Sequence, residues 1–248
     1  MNKYNLYQGD CLDIMNNIPS GSVDMILCDL PFQTTNCKWD IQLDLNTLWV
    51  HYKRIIKDNG AILLFAQTPF DKVLGASNLK MLRYEWIWEK TQATGHLNAN
   101  KMPMKAHENI LVFYKKLPTY NPQKTQGHKP MNSGTKYVST QNNTDIYNKM
   151  NKEISFGGNT DRYPRDVIVF PSDKQKCHLH PTQKPVALLE YLINTYTNEN
   201  EIVLDNCMGS GSTGVAALNT KRKFIGIELD ENYFNIAKER IGSVENRN

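Results

Sequence analysis

The stretch NCMGSGSTGVAALNTKRKFIGIELD, residues 206–230, decides the fold. Its GSGSTG segment has the pattern G-x-G-x-x-G, and Glu228 ends the apolar run that follows. Glycines permit a tight turn close to a ligand, and the helix after such a turn offers free N–H groups. An acidic residue at the tip of the next strand can accept hydrogen bonds from ribose hydroxyls. The stretch therefore predicts a cofactor-binding turn between two strands of an α/β sheet.

A turn of this kind normally follows the first strand of its sheet, yet few elements remain after it here. The N-terminal half must supply the other strands. Apolar runs and periodicity predict strands at 4–10, 23–30, 61–66, 84–90, 108–115, 201–205 and 223–229, and helices at 11–19, 45–58, from about 69, 185–197, 212–220 and 231–241. The strand after the last helix would be YNLYQGD, at the start of the chain. The sequence thus predicts a mostly parallel, doubly wound sheet in circularly permuted order.

The composition is that of a globular chain with a sizeable core, since 40% of its 248 residues are hydrophobic. No apolar stretch approaches the length of a membrane span, and the start MNKYNLYQGD lacks the pattern of a signal peptide. The five cysteines are an odd number and form no C-x-x-C pair. This usage favours a reduced, cytoplasmic protein over a disulfide-bonded one.

Basic residues concentrate in one part of the chain. Between 115 and 176, eleven Lys and Arg residues stand against five Asp and Glu residues. The stretch shows little periodicity, so it is either a solvated loop or a surface for phosphates and base edges. Lys101 and Lys105, in a loop before a strand, are further candidates for phosphate contact. His107 and Glu108, at the start of that strand, are predicted to be structural.

A second motif, Asp29-Leu30-Pro31-Phe32, ends the apolar run VDMILCDL. Ligands bind at the carboxyl ends of strands in such sheets. A carboxylate and the backbone carbonyls of Leu30 and Pro31 can accept the hydrogens of an exocyclic amine, which localises its lone pair, while Phe32 can stack on a base. Orientation and electrostatics would then promote attack on a methyl sulfonium. Taken alone, the tetrapeptide is also consistent with a simple strand-ending turn.

The glycine turn by itself leaves the cofactor open. A dinucleotide would place its pyrophosphate over the turn, whereas S-adenosylmethionine would place its ribose and methionine there. A glycine-rich turn without any ligand is a third alternative.

Three motifs occur together in this chain: DLPF at 29–32, GSGSTG with Glu228, and HPTQKP at 180–185. Their combination resembles the amino-methyltransferases of DNA in the permuted beta arrangement, and it looks closest to small phage or prophage members. The resemblance covers nearly the whole chain and weakens over 117–170. It implies a Rossmann-like S-adenosylmethionine-dependent methyltransferase fold. It also implies a catalytic part at 1–116, an inserted target-recognition region at 117–175 and a cofactor-binding part at 176–248.

The resemblance assigns a role to each matching position. At the catalytic motif, Asp29, Leu30 and Pro31 would contact the target amine and Phe32 would stack on the base. The residues that it places at the cofactor are Asp10, Cys11, Asp29, His180, Thr182, Lys184, Asp205, Gly209, Gly211 and Glu228. Among these, Asp10 and Cys11 would lie near the adenine, Glu228 would bind the ribose, and His180, Thr182 and Lys184 would hold the methionine end.

The chain departs from the common family pattern at two places. The frequent form D-P-P-Y is replaced by DLPF, which keeps the acceptor carbonyl at Leu30 but loses the tyrosine hydroxyl. The cofactor motif often begins D-P-F, and here it begins Asp205-Asn206-Cys207, which leaves the packing near the adenine open. Within the family an acidic first residue mostly accompanies N6-adenine, so Asp29 favours adenine. N4-cytosine methylation by the same mechanism is the alternative.

Other functions compete with this hypothesis. An NAD-dependent oxidoreductase would use the glycine turn but would not explain DLPF or HPTQKP. Methylation of RNA or protein amines, and a catalytically silent DNA-binding relative, remain alternatives. Cys177, His178 and His180 lack a second pair of metal ligands, so no metal is expected. The partners implied by the resemblance are double-stranded DNA and a second copy of the chain in a homodimer, with no membrane involved.

Overall fold

The structure is a computed structural model, and it describes residues 3–31, 43–130, 158–172 and 183–245. Eight strands and six helices lie in these ranges. In chain order they are β1 (Tyr4–Gln8), α1 (Cys11–Met15), β2 (Val23–Asp29), α2 (Leu45–Ile55), β3 (Ile56–Ala66), α3 (Phe70–Ser77), β4 (Leu82–Thr94), β5 (Lys105–Phe113), β6 (Val167–Phe170), α4 (Val186–Tyr196), β7 (Ile202–Asp205), α5 (Ser212–Asn219), β8 (Lys223–Glu228) and α6 (Glu231–Glu245).

The strands form one sheet in the order β1-β8-β7-β2-β3-β5-β4-β6. All neighbouring pairs are parallel except those that involve β5, which is antiparallel to both β3 and β4. The first strand of the chain lies beside the last, with Leu6 opposite Gly226. The predicted permuted, mostly parallel sheet is therefore confirmed.

Side chains of the central strands alternate between two cores, one on each face of the sheet. Met25 and Leu27 of β2 belong to the core that helices α4, α5 and α6 cover. Ile26 and Cys28 belong to the opposite core, which α1, α2 and α3 cover. Because both faces are buried, the strands read as continuous apolar runs, as parallel sheets require.

Helix α2 ends earlier than the sequence predicts, at Ile55 instead of residue 58. Its start is well defined, because the Asp44 side chain accepts hydrogen bonds from the N–H groups of Asn46 and Thr47, each 3.1 Å long. Ile56 is already extended and pairs with Val23 of β2, so burial in the sheet outweighs continuation of the helix. Gly60 does not stop a helix. A Cβ atom there would lie 2.8 Å from the carbonyl oxygen of Asp24.

The chain divides into two compact units, one formed by residues 1–121 and 165–248 and the other by residues 122–164. The smaller unit falls inside the predicted recognition region 117–175, of which 131–157 and 173–175 lie outside the described residues. Within it, Thr125 and Arg162 form an isolated antiparallel bridge. Strand β6 was not predicted. It is a short strand that pairs with β4 through residues such as Ile168.

The direction of the strands decides where functional residues meet. Strands β1, β8, β7, β2, β3 and β4 run the same way, so their carboxyl ends share one edge of the sheet. Strand β5 runs the other way and brings its first residues to that same edge. In the part of the chain that the structure describes, no helix is long and apolar enough to cross a membrane.

Candidate active site

The glycine turn joins β7 to α5 in a left-handed conformation. Gly209 has φ 51° and Gly211 has φ 78°, values that side-chain-bearing residues adopt at a cost. Space is also tight at Gly211, since a Cβ atom there would lie 2.9 Å from the Cβ of Ala237 in α6. The turn therefore requires glycine at position 211 for two independent reasons.

Glu228 at the end of β8 is tied to this turn. Its Oε2 accepts a hydrogen bond from the Gly209 N–H at 2.8 Å, and its Oε1 accepts one from the Asp230 N–H at 2.9 Å. Burial raises the pKa of Glu228, although these backbone donors oppose the shift. A carboxylate has about four acceptor positions, so the backbone donors leave part of the acceptor capacity of Glu228 unused.

Asp205 ends β7 and is almost fully buried. Its Oδ1 accepts a hydrogen bond from the Cys207 N–H at 3.1 Å, which shapes the start of the turn. Burial raises the pKa of Asp205 to about 6, against hydrogen bonds from Thr213 and Cys207 that lower it. The negative charge of Asp29 adds to the upward shift.

Asp10 and Cys11 follow β1 at the same edge. Asp10 caps α1 by accepting a hydrogen bond from the Leu12 N–H at 2.8 Å, and the preceding Gly9 N–H donates to the carbonyl of Glu228 at 2.9 Å. Cys11 is buried at the start of that helix. These contacts bring Asp10 and Glu228 to adjacent strand ends.

Asn206 stands where the common family pattern has proline, and the structure shows what it does. Its Oδ1 accepts a hydrogen bond from the buried Tyr52 hydroxyl at 2.6 Å. Its Nδ2 contacts the sulfur atoms of Cys11 at 3.6 Å and Cys207 at 3.4 Å. Asn206 thus anchors the glycine turn to α2, a contact that sequence patterns did not indicate.

A second cluster of charged residues lies around Asp29, which ends β2. The Lys184 ammonium donates a hydrogen bond to Asp29 Oδ2 across 155 positions of sequence. It also lies 3.3 Å from Glu108 Oε2, an ion pair without hydrogen-bond geometry. Glu108 Oε1 in turn pairs with Lys90 Nζ at 2.5 Å. We call these four residues the charge network.

The charge network is buried. The side chains of Lys90, Glu108 and Lys184 are 8%, 7% and 10% exposed, and that of Asp29 is 23% exposed. Asp29 Oδ1 is buried and has no hydrogen-bond partner among the described residues. One oxygen of Asp29 is therefore held by Lys184, while the other is a buried acceptor without a partner among the described residues.

Burial and neighbouring charges set the protonation of the charge network. Burial raises the pKa of Asp29 to about 6, with Lys184 lowering it and Glu108 raising it. Burial lowers the pKa of Lys184, but Asp29 and Glu108 raise it by more. Burial likewise raises the pKa of Glu108, but Lys184 and Lys90 lower it by more. Near neutral pH the Asp29 and Glu108 carboxylates and the Lys184 ammonium are therefore mainly charged.

The structure places the predicted site residues as follows. Asp29, Leu30, Pro31, Lys184, Asp205, Gly209, Gly211, Glu228, Asp10 and Cys11 lie at or beside the carboxyl edge of the sheet. Phe32, His180 and Thr182 lie outside the described residues. Lys184 contacts Asp29 and Glu108, and its predicted contact with the methionine end of the cofactor stays a prediction.

Sequence patterns predict a structural role for Glu108 and do not single out Lys90. A hint was present for Lys90. Residues 86, 88 and 90 share one face of β4, and Trp86 and Trp88 on that face are buried. A lysine in line with two buried tryptophans needs a buried partner, and the Lys90 ammonium also lies 5.2 Å from the centre of the Trp88 ring.

No three His, Cys, Asp or Glu side chains come together to hold a metal ion in the described ranges.

The profile of the N6/N4 methylase family, described as DNA methylase, matches residues 23–239. The chain belongs to this DNA methylase family. The match begins at β2 and ends in α6, so it includes both the Asp29 motif and the glycine turn.

Individual DNA methyltransferases are similar to this chain along most of their length. The Type II methyltransferase M2.MboI of Moraxella bovis is 26% identical over 267 residues, covering 96% of this chain and 87% of that protein. The DNA adenine methyltransferase YhdJ of Escherichia coli K12 is 28% identical over 254 residues, covering 95% of this chain and 82% of that protein.

Solved structures of DNA methylases share the fold. The M1.HpyAVI–SAM complex superimposes with a TM-score of 0.65 at 24% identity, covering 96% of this chain and 98% of that one. The PvuII DNA methyltransferase, described as cytosine-N4-specific, superimposes with a TM-score of 0.67 at 16% identity, covering 100% of this chain and 93% of that one. At these identities the likeness establishes the architecture.

Proposed function

We propose that this DNA methylase transfers the methyl group of S-adenosylmethionine to the N6 amine of a flipped-out adenine in duplex DNA. The observation that carries the proposal is that Oδ1 of Asp29 has no hydrogen-bond partner among the described residues and lies at the same sheet edge as the glycine turn. Asp29 at the end of β2 presents an acceptor for an amine, and the glycine turn after β7 presents a place for the cofactor. Methyl transfer to DNA needs both, because the amine and the methyl donor must meet.

The charges along the edge favour S-adenosylmethionine over a dinucleotide. Four neighbouring strands, β1, β8, β7 and β2, end at or just before Asp10, Glu228, Asp205 and Asp29. Asp29 is paired with Lys184, but the carboxylates of Asp10, Asp205 and Glu228 would repel a pyrophosphate and attract the positively charged groups of S-adenosylmethionine. When bound, this cofactor supplies an electrophilic methyl group.

The chain's own residues then orient the acceptor base. Asp29 Oδ1 accepts one hydrogen of the target amine, and the backbone carbonyl at Leu30 or Pro31 accepts the other. A carboxylate with a pKa of about 6 is a weak base. Its contribution is therefore the placement of the amine and the stabilisation of the positive charge that develops on nitrogen. The methylated nitrogen is strongly acidic, so it then releases one proton to Oδ1 of Asp29 and becomes the neutral methylamino group.

The connection between β4 and β5 supports DNA as the substrate. The exposed residues 91–107 include the last residues of β4, the connection itself and the first residues of β5, and they contain no Asp or Glu. Lys101 lies in the connection, whereas Lys105, predicted to lie in a loop, is the first residue of β5 and pairs with Thr94. This segment begins after Lys90 and ends before Glu108, so it projects from the edge that carries the active site. A surface with lysines and without acidic side chains is suited to bind DNA phosphates. Such binding would hold the duplex close enough for the target base to leave it and reach Asp29.

The choice of adenine rests on the acidic residue at position 29. N4-cytosine is the second candidate, because the structural neighbours include the PvuII enzyme described as cytosine-N4-specific. Both bases present an amine beside a ring nitrogen, so the geometry of Asp29 serves either one.

The decisive experiment is transfer of labelled methyl from S-adenosylmethionine to unmethylated genomic DNA, followed by nucleoside analysis. We expect label in N6-methyladenine, and we expect Asp29→Ala to abolish it. Label in N4-methylcytosine would overturn the base assignment but keep the mechanism. No label in DNA would overturn the proposal, provided that S-adenosylhomocysteine still protects the fold against heat; RNA and protein would then be tested as acceptors.

The homodimer expected from the resemblance belongs to the same proposal. Sedimentation of the purified chain tests it. A mass near that of a single 28.5 kDa chain at all concentrations would contradict it.

A further inference from the structure

Glu108 and Lys90 take no part in the proposed contacts with DNA or cofactor, yet they are buried and charged next to Asp29. Burying a charged pair costs several kcal/mol per ion, and apolar residues of similar size often stabilise a fold at least as well. A buried ionic cluster beside an acceptor carboxylate therefore points to a role at the site.

The connections in the charge network run in one line. Lys90 on β4 holds Oε1 of Glu108 on β5, Oε2 of Glu108 faces Lys184, and Lys184 holds Oδ2 of Asp29. The Lys184 ammonium also lies 5.1 Å from the centre of the Phe65 ring, which limits its movement. Glu108 and Lys184 each have a charged partner on both sides, whereas Lys90 and Asp29 are the two ends of the line. Oδ1 of Asp29 has no hydrogen-bond partner among the described residues.

We propose that Glu108 and Lys90 are positioning residues for methyl transfer: they hold Lys184 against Oδ2 of Asp29, so that Oδ1 stays free and oriented for the target amine. The proposal rests on the proposed function, because it assigns Oδ1 to the amine. If Lys184 lost its second anchor, it could rotate toward either oxygen of Asp29. Both the place and the availability of the acceptor would then vary.

The charged groups that act on Asp29 come from several elements. They are Lys184 ahead of α4, Glu108 on β5, Lys90 on β4 and, at the end of β7, Asp205. Glu108 raises the pKa of Asp29 and Lys90 lowers it. Removing the Glu108 charge should therefore move the Asp29 titration to lower pH, and removing the Lys90 charge should move it to higher pH.

The test compares Glu108→Gln and Lys90→Met with the wild type and with Asp24→Asn. Asp24 is a matched control, because it pairs with Lys57 at 2.5 Å and is buried, but it lies near the start of β2, away from the site. The first readout is kcat and KM for S-adenosylmethionine on an oligonucleotide between pH 5 and 8. The second is the carboxyl ¹³C titration of Asp29 in the free protein, assigned with Asp29→Asn.

For Glu108→Gln we expect kcat to fall by about tenfold or more through lost orientation, with KM for the cofactor changed by less than about threefold. The two variants should shift the Asp29 titration in opposite directions, and Asp24→Asn should leave both readouts unchanged. Wild-type kcat in Glu108→Gln, or identical titrations in all variants, would overturn the proposal. Failure of the wild type to methylate DNA would overturn the proposed function itself, and the ¹³C titration would still report whether the charge network orients Asp29.

Discussion

The two halves of the active site are built in different ways. At the cofactor turn, backbone N–H groups donate to the carboxylates of Asp205 and Glu228, and these backbone donors lie within residues 205–230. Around Asp29 the contacts are ion pairs between side chains, and the Lys184–Asp29 pair spans 155 positions. The first half depends on local backbone shape, and the second depends on the assembled sheet and on charge.

The largest effect should come from Asp29 and should separate the two halves. Asp29→Asn keeps the shape of the side chain but replaces the charged acceptor, so we expect methyl transfer to fall about 100- to 1,000-fold. The Kd for S-adenosylmethionine, measured by calorimetry, should change little, because Asp205, Gly209 and Glu228 are untouched. Equal losses in binding and turnover would show that the two halves are not independent.

The pH dependence of the methyl-transfer rate should give the next largest effect, and it should report on the half of the site around Asp29. Asp29 accepts the amine only when it is ionised, and its raised pKa is about 6. Below pH 6 the rate of transfer should therefore fall about tenfold per pH unit, and above pH 7 it should be level. Single-turnover rates at saturating substrate across this range test the prediction. The control is Gln8→Ala, which changes a residue at the end of β1 without altering Asp29. A flat rate down to pH 5 would contradict the assignment of Asp29.

Gly211→Ala should act on the cofactor half alone. The substitution places a Cβ 2.9 Å from Ala237 and keeps a φ of 78° that alanine resists. We expect a loss of stability of about 1–3 kcal/mol in urea unfolding and a weaker Kd for S-adenosylmethionine by about tenfold or more. Gly21→Ala is a suitable control, because φ is 60° there while open space surrounds the position. If both variants bind the cofactor equally well, the close contact between Gly211 and Ala237 of α6 is not needed for the conformation of the turn.

The smallest effect should come from Tyr52→Phe, which removes the hydroxyl that donates to Asn206 at 2.6 Å. A buried acceptor loses its partner, so stability should fall by about 1–2 kcal/mol, with little change in turnover. Urea unfolding compared with the rate of transfer tests this. A large fall in turnover without a fall in stability would mean that Asn206 supports Asp29 and not only the cofactor turn.

Sequence patterns predicted the parts of this molecule that short-range rules control. The glycines at 209 and 211 indicated a left-handed turn, the apolar runs indicated buried strands, and the order of motifs indicated that YNLYQGD closes the sheet beside β8. Each depends on backbone conformation or on the polarity of consecutive residues, which a linear sequence records directly.

Tertiary structure alone decided the remainder. Ile56 leaves α2 because it pairs with Val23, and Asn206 anchors the glycine turn because Tyr52 of α2 reaches it. Glu108 enters the site because antiparallel β5 brings the start of a strand to the edge where the other strands end. The sequence determined a methylase fold with its cofactor turn and its Asp29 motif. The residues that orient Asp29 are distant from it in sequence. They attract one another only at short range, so the folded sheet must first place them close together.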